Sequence, residues 1–483
     1  MAIDRAAGAV SNDEDIAPSA LAGYGEHPSE GVIAAETKQR LHRAVWLLAW
    51  PSVITMLLQT GNSFLDRFFV GSLGSDTLAA VGVGGMLMFL LFSVGMSIGI
   101  GTTALVARFT GANQHDDATL AANQSVWLGG IASVVCVAVM LPLRVPLVHA
   151  LGINASASAL SATYLGMTIL GVPALFLMLI LSSVFRGLGD TVTPLRVMVG
   201  VNIIHLGGDW LLIFGHWGFP RMGLLGGATA LVASQIVGAG LYLFYLRRSP
   251  VAGLMTRLRR LDLGWARRIL NIGIPALWQN LSRILSMLAF TAVLARSADG
   301  TPAAAALTIG LTSESIAFMP GFAFSMAAST LTGQNLGAGN PRRAEQAAWA
   351  ALQQGLLVMI LMGAVFYICA YPFAHLFTNS PNVDPHVVPL AVAYLRVSAL
   401  VEPFLALGMI LTGALNGAGD TKAPAWASVI TMWVIRLPLA YLAAHVWGLG
   451  ARGAWWAMAA GTVSGGIAAY ALFKWGRWKQ TKV

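Results

Sequence analysis

The chain has 483 residues, of which 57% are hydrophobic and only 10% are charged. A soluble domain carries about 25% charged residues, so the composition excludes an ordinary water-soluble protein and places most of the chain in lipid. Only helices and closed barrels satisfy every backbone hydrogen bond in lipid. The apolar runs are continuous and lack strict alternation, which predicts helices.

Twelve apolar runs are each long enough to cross a bilayer, and we number them spans one to twelve. They lie near residues 45–70, 79–107, 121–142, 161–185, 192–215, 223–246, 267–295, 303–330, 346–371, 391–415, 422–446 and 453–474. The polar residues 1–40 contain no apolar segment of the signal-peptide type, which predicts a disordered tail. Cys136 and Cys369 each fall inside a span and predict neither a disulfide framework nor a metal site.

The net charge of +9 follows the topology of the chain and does not indicate a nucleic-acid surface. Basic residues concentrate before span one, between spans six and seven, after span eight and at the end of the chain: Lys38, Arg40, Arg43, Arg247, Arg248, Arg257, Arg259, Arg260, Arg267, Arg268, Arg342, Arg343, Lys474, Arg477, Lys479 and Lys482. The loops on the other side carry only isolated basic residues, namely Arg144, Arg221, Arg296 and Arg452. Because cytoplasmic loops are enriched in Lys and Arg, both termini and the central loop are predicted to be cytoplasmic.

The chain contains two copies of one unit. RGLGDTVTP at 186–194 recurs as NGAGDTKAP at 416–424, a shift of 230 residues, and a shift of 226 pairs Gly111 with Gly337. Each unit has six spans, so both copies enter the membrane from the same side and an axis along the membrane normal relates them. The predicted organisation is a tail at 1–43, an N-terminal bundle at 44–246, a basic linker at 247–266, a C-terminal bundle at 267–475 and a tail at 476–483.

The repeated segment admits two interpretations. Gly-Leu-Gly-Asp at 187–190 matches the short GxGD pattern of intramembrane aspartyl proteases, but these also need an aspartate after a tyrosine, and the sequence has no Tyr-Asp pair. The alternative is a tight turn, in which glycine ends one helix, Asp caps the next and Pro fits its first turn. The turn is the favoured interpretation, and its residues are Gly187, Gly189, Asp190 and Pro194 with Gly417, Gly419, Asp420 and Pro424.

Two spans of the first half carry the same polar pattern at positions i, i+3 and i+7, formed by Gln59, Asn62 and Asp66 on span one and by Asn202, His205 and Asp209 on span five. Each trio forms one stripe along a helix, and ionisable groups inside spans are functional candidates. Two stripes facing one pocket would hold carboxylates that load and release a proton. The alternatives are an Asp–His hydrogen bond that only steadies the bundle, and an Asp66 that faces the headgroups.

The second half has no acid at the corresponding positions, which are Phe290 and Leu439. Its own ionisable residues inside spans are Glu314, Glu402, Arg283 and Arg436. Either they line a cleft and contact substrate, or the arginines neutralise the acids, and the sequence leaves both possibilities open.

Five segments carry a resemblance to a known family: LDRFFVGSLGSDTLAAVG at 65–82, RGLGDTVTPL at 186–195, DWLLIFG at 209–215, GQNLGAGNPRRA at 333–344 and GALNGAGDTKAP at 413–424. Over roughly residues 44–475 the chain resembles the multidrug and toxic compound extrusion (MATE) family, with the DinF-like and NorM-like bacterial branches nearest. The resemblance implies an all-α membrane protein whose twelve transmembrane helices form two pseudo-symmetric six-helix bundles around a V-shaped cleft.

The function that the resemblance implies is secondary active export of organic, amphipathic or cationic compounds in exchange for H⁺ or, as a lesser possibility, Na⁺. It implies a monomer in the bacterial cytoplasmic membrane, with no cofactor and no nucleic-acid partner. The alternatives are a lipid or lipid-linked-sugar flippase of the same superfamily and, less favoured, a protease that uses Asp190.

In the DinF-like branch an Asp on span one and an Asp on span five belong to the coupling network, and Asp66 and Asp209 match them. Gln59 and Tyr164 match further network positions by spacing, and Thr229 lies near another. The chain departs from the family at two positions. His205 stands where the family usually has Asn and favours H⁺ coupling, and Arg67 follows Asp66 where an uncharged residue is usual.

Overall fold

The computed structural model describes residues 30–256, 260–376 and 384–481, and these ranges contain helices and no strand. Spans one to six are Glu30–Gly71, Ser75–Gly111, His115–Ala150, Ala155–Leu170 with Val172–Gly187, Val192–Phe214 and Leu224–Leu246. Spans seven to twelve are Leu263–Ala295, Gly300–Gly337, Pro341–Ile368, Val387–Gly417, Lys422–Val446 and Gly450–Trp475. Arg257, Arg259, Lys482 and most of the predicted tail lie outside the described residues. The predicted all-α fold is confirmed.

Within the described ranges, ten helices are long and apolar enough to cross a membrane, and the bent pair in span four makes an eleventh. Span seven is a helix of 33 residues, but Arg267, Arg268, Gln279, Asn280 and Arg283 lower its hydropathy. Span eleven is irregular, because π-helical segments at Ile430–Arg436 and Leu442–Val446 interrupt it. Short helices at His216–Gly218, Gly253–Thr256, Ala370–Leu376 and Arg477–Gln480 occupy the loops and the end of the chain.

Span one begins earlier than the sequence predicts. The helix starts at Glu30 and runs without a break into the membrane segment, so residues 30–43 are not part of a disordered tail. Leu41 and Val45 are buried against residues of the second half, including Ala344 and Ala347 on span nine. This packing stabilises a helix that the polar composition alone does not indicate.

Span four consists of two segments that meet at an angle of 50°. Pro173 lies in the first turn of the second segment, where its missing N–H and its ring interrupt the helix. Gly171 occupies the break because a Cβ at this position would lie only 2.7 Å from Val232 on span six. The bend therefore follows from a proline and a close helix contact.

The repeated turn has the same conformation in both halves. Gly189 and Gly419 each adopt φ 86°, and the backbone N–H groups of Asp190 and Asp420 donate to the carbonyls of Phe185 and Leu415, both at 2.9 Å. Oδ1 of Asp190 accepts from the N–H groups of Val192 and Thr193 at 3.0 and 2.9 Å, and Oδ2 accepts from the Thr193 hydroxyl at 2.5 Å. Oδ1 of Asp190 therefore caps span five, and Oδ2 holds the Thr193 side chain.

The two halves meet at the end of the molecule where the basic loops lie, which we call the basic end. Here spans two and eight cross with their backbones in contact. A Cβ on Gly111 would overlap the carbonyl oxygen of Gln334, and a Cβ on Gly337 would overlap the carbonyl oxygen of Arg108. Both pairs are related by the 226-residue shift, so the contact is reciprocal, and small residues are what allow helices to approach this closely.

Hydrogen bonds join the halves at the same end. Thr330 and Gln334 on span eight donate to the carbonyls of Arg186 and Gly187 at 3.1 and 3.0 Å. Arg108 donates to the carbonyl of Thr481 at 3.0 Å. Residues after span twelve are therefore not a free tail up to Thr481, and Trp478 is fully buried against Phe473.

We expect Gly111→Ala and Gly337→Ala each to destabilise the protein by about 1–3 kcal/mol, since an added methyl group must push two backbones apart. Gly240→Ala is the matched control, because no atom lies within 4 Å of its added Cβ. Thermal unfolding of the purified variants in detergent measures the difference. Equal unfolding temperatures for Gly111→Ala and Gly240→Ala would show that the crossing is not tightly packed.

Loss of the Asp190 cap is expected to cost about 1 kcal/mol in Asp190→Ala. Asp190→Asn keeps a side-chain acceptor for the same N–H groups and should unfold near the wild-type temperature. The same thermal assay compares the two variants. If Asp190→Asn loses as much stability as Asp190→Ala, the capping role is wrong.

Candidate functional site

The polar stripes of spans one and five face each other. The amide Nδ2 of Asn62 donates to Nδ1 of His205 at 2.8 Å, and Nδ2 of Asn202 donates to the carbonyl of Leu58 at 3.2 Å. These two hydrogen bonds run in opposite directions between the helices. They fix the register of span one against span five, so that Asp66 lies level with His205 and Asp209.

Asp66, His205 and Asp209 form a compact group, which we call the first-half cluster. Nε2 of His205 lies 3.6 Å from Oδ2 of Asp209, and one donor atom from each of the three residues lies within 4.8 Å of the others. His205 is 3% exposed and Asp209 is 0% exposed, whereas Asp66 is half-buried. The group therefore opens only on the side of Asp66.

Several polar atoms of the cluster have no hydrogen-bond partner among the described residues. They are Oδ1 and Oδ2 of Asp209 and Nε2 of His205, and Oδ1 of the neighbouring Asn62 also has none. A buried polar group without a partner costs free energy, and an unpaired buried charge costs far more. The protein's own residues thus leave the cluster incomplete, and a proton or a cation would complete it.

Tyr164 on span four and a glycine on span six form the walls of the cluster. Tyr164 is 8% exposed and packs with Val70 and Ile213, which lie one turn after Asp66 and Asp209. A Cβ at Gly227 would lie 3.7 Å from Oδ1 of Asp209, so Gly227 leaves space beside that oxygen. The sequence did not indicate Gly227, because glycine has no side-chain group that could bind an ion or a ligand.

Three residues singled out from the sequence are not joined to the cluster by hydrogen bonds. The Thr229 hydroxyl donates to the carbonyl of Leu225 on its own helix at 2.7 Å. Gln59 is exposed, two turns away from Asp66. Arg67 is also exposed, and the ion pairs within 4.0 Å among the described residues do not include it.

The second half holds another buried group of ionisable side chains. The Tyr394 hydroxyl donates to Oε2 of Glu314 at 2.5 Å, and Glu402, 2% exposed, has one carboxyl oxygen without a partner among the described residues. The Arg436 guanidinium lies 4.6 Å from the ring centre of Phe290. We call Glu314, Tyr394, Glu402 and Arg436 the second-half cluster.

A small pocket opens beside Glu314 and is lined by Ser398, Trp455 and Thr462 among others. Arg283, the remaining ionisable candidate, is exposed and lies 5.8 Å from the ring centre of Phe318 on span eight. Phe318 lies one turn after Glu314 on the same helix.

Tyr394 was not identified from the sequence, although the repeat contains the signal. The 230-residue shift takes Tyr164 to Tyr394, and the 226-residue shift takes Gly84 to Gly310. In each half a Cβ on the glycine would overlap the ring of the tyrosine. The duplicated scaffold therefore places a tyrosine beside a polar cluster in both halves, while the acids come from different positions.

Comparisons with known proteins identify the family. The sequence model of the MatE family matches the chain twice, over residues 51–211 and 275–442, together more than half of its length. "Probable multidrug resistance protein NorM" of Thermotoga maritima is 28% identical over 441 residues, covering 90% of this chain and 93% of that protein. "FAD transporter" of Shewanella oneidensis is 28% identical over 432 residues, covering 89% and 94%.

The fold also matches solved structures. The crystal structure of a MATE protein in complex with MaL6 superposes with a TM-score of 0.84 at 24% identity, covering 91% of this chain and 98% of that one. At this identity the likeness shows the fold alone, and it confirms the predicted twelve-helix membrane architecture. The chain belongs to the MatE family of multidrug efflux transporters, and it is not an enzyme.

Proposed function

We propose that this transporter exports organic compounds in exchange for H⁺ and that the first-half cluster carries the coupling proton. The observation that supports the proposal is the pair of carboxyl groups of Asp66 and Asp209, together with the unpartnered oxygens of the latter. Two carboxylates this close repel each other in a poorly solvated site. A proton on one of them relieves that repulsion and supplies a donor.

The histidine supports H⁺ over Na⁺. His205 adds a group that titrates near neutrality when free, and its ring reaches both Asn62 on span one and Asp209 one turn away. A Na⁺ site built from oxygen ligands would gain nothing from an imidazole at this position. The same ring offers a proton carrier between the two carboxyl groups and the rest of the stripe.

The contacts at the basic end support an alternating-access cycle. If the positive-inside rule holds for this chain, the basic end is cytoplasmic and the halves are closed on that side. The cluster then takes up its proton from outside, and protonation favours release of the substrate. Return of the proton to the cytoplasm follows separation of the halves at the Gly111–Gly337 crossing.

Replacing the acids tests the assignment. We expect Asp66→Asn and Asp209→Asn to abolish dye export driven by an imposed pH gradient in proteoliposomes, because neither amide can carry the proton. Asp384→Asn, which changes an exposed loop carboxyl, should transport like wild type. Retained pH-driven export by both cluster variants would disprove the assignment, and export driven by a Na⁺ gradient alone would replace H⁺ with Na⁺.

A second possibility concerns the substrate. The Nε group of Arg436 is buried without a hydrogen-bond partner among the described residues, and Nη2 donates to the sulfur of Met287 at 3.3 Å. A guanidinium in this setting favours an anionic ligand group. One relative is named an FAD transporter, which supports a substrate with an anionic part bound at the second-half cluster.

Arg436→Gln is expected to reduce export of an anionic dye and to leave export of a cationic dye close to the wild-type rate, since only the anion needs the charge. Arg452→Gln, at an exposed arginine in the first turn of span twelve, controls for the lost charge. Export rates of both dyes from the same proteoliposomes give the comparison. An equal loss for both dyes would assign Arg436 a structural role.

A further inference from the structure

We infer that the first-half cluster is a binding site for a divalent transition-metal ion of the Zn²⁺ or Co²⁺ class, which occupies the carboxyl groups assigned to coupling. The donors are an imidazole nitrogen of His205 and one carboxyl oxygen each from Asp66 and Asp209. Binding itself stands on this geometry alone. An effect of the bound ion on export rests in addition on the proposed function.

The spacing of the donors fits a metal ion. Zinc binds imidazole nitrogen and carboxylate oxygen at about 2.0–2.2 Å, so two ligands of a tetrahedral ion lie about 3.4 Å apart. Nε2 of His205 and Oδ2 of Asp209 are 3.6 Å apart, and all three donor atoms lie within 4.8 Å of one another. At 3.6 Å the pair is too long for a direct hydrogen bond, whereas an ion between the two atoms would satisfy both.

The unpartnered atoms point to the same ligand. Asp209 is fully buried, and neither of its carboxyl oxygens has a partner among the described residues. The neighbouring Gly227 leaves room beside Oδ1. A buried carboxylate without a partner differs from a surface group of acids, which solvent satisfies.

Charge and donor chemistry select the class of metal. Two carboxylates and a neutral imidazole balance a divalent ion, so that the occupied site carries no net charge inside the membrane. Imidazole is a preferred ligand of Zn²⁺ and Co²⁺, whereas Ca²⁺ and Mg²⁺ bind oxygen donors. A Na⁺ ion would leave one negative charge uncompensated.

Asn62 is the positioning residue of the site. A turn of its amide by 180° exchanges two groups of nearly the same shape. Its oxygen, which otherwise has no partner among the described residues, then accepts a hydrogen bond from the Nδ1–H group of His205. The lone pair of Nε2 is thereby directed at the space between the carboxyl groups, as second-shell partners do for metal-binding histidines.

Co²⁺ titration of untagged, purified protein in detergent tests the binding. Wild type is expected to bind one ion and to develop visible d–d absorption, which Zn²⁺ displaces. His205→Asn and Asp209→Asn should lose that absorption, and Asn62→Leu should weaken Co²⁺ binding about 10–100-fold. Thermal unfolding of each variant shows that it remains folded.

The matched control is the exposed pair of His386 and Asp384, whose side chains approach to 2.9 Å. His386→Asn has the same chemical change outside the cluster and should keep the full Co²⁺ spectrum. Loss of the spectrum in His386→Asn, its survival in folded His205→Asn, or its absence from wild type would each overturn the metal site.

We expect Zn²⁺ to inhibit pH-driven dye export by wild-type proteoliposomes, because the bound ion occupies the carboxyl groups assigned to coupling. If Co²⁺ binds at the cluster but Zn²⁺ leaves export unchanged, the metal site stands and the assignment of proton coupling to this cluster fails. If Asp66→Asn and Asp209→Asn abolish export but Co²⁺ does not bind wild type, proton coupling stands and the metal site fails.

Discussion

The backbone contact between spans two and eight is the constraint on which the arrangement of the two halves depends. Helices approach this closely only where glycine removes the side chain from both sides. Gly111 and Gly337 do so at positions related by the duplication. The hydrogen bonds from Thr330 and Gln334 to the turn after span four use the proximity that this crossing creates. The candidate site lies away from this contact, on spans one, four, five and six of the first half.

The sequence predicted the parts of the fold that lipid and duplication impose. Span positions follow from apolar runs because the membrane requires them, and the turn at Asp190 was predicted because the same residues recur at Asp420. The helical start of span one was missed, since its polar composition resembles a disordered tail. Packing of Leu41 and Val45 on the second half stabilises it, together with the hydrogen bonds from Gln354 to His42.

The candidate site was less accessible to sequence reasoning. The i, i+3 and i+7 stripes indicated Asp66, His205 and Asp209, because helical spacing is local information. The hydrogen bond between Tyr394 and Glu314 joins residues 80 positions apart, and no local sequence pattern predicts such a contact. Thr229 was included by its distance along the chain, but a helical threonine hydroxyl commonly bonds to its own helix. Gly227 acts through an absent side chain, so only the three-dimensional structure indicates it.

The bend in span four has a mechanical consequence. Tyr164 on its first segment packs beside the first-half cluster, whereas the carbonyls of Arg186 and Gly187 at the end of its second segment accept hydrogen bonds from the second half. These two regions are about 30 Å apart along the helix axis, and the joint at Gly171 and Pro173 lies between them. A rotation of the first segment at Tyr164 must therefore either change the bend at that joint or move the second segment. In the second case it also moves the contact that holds the halves together.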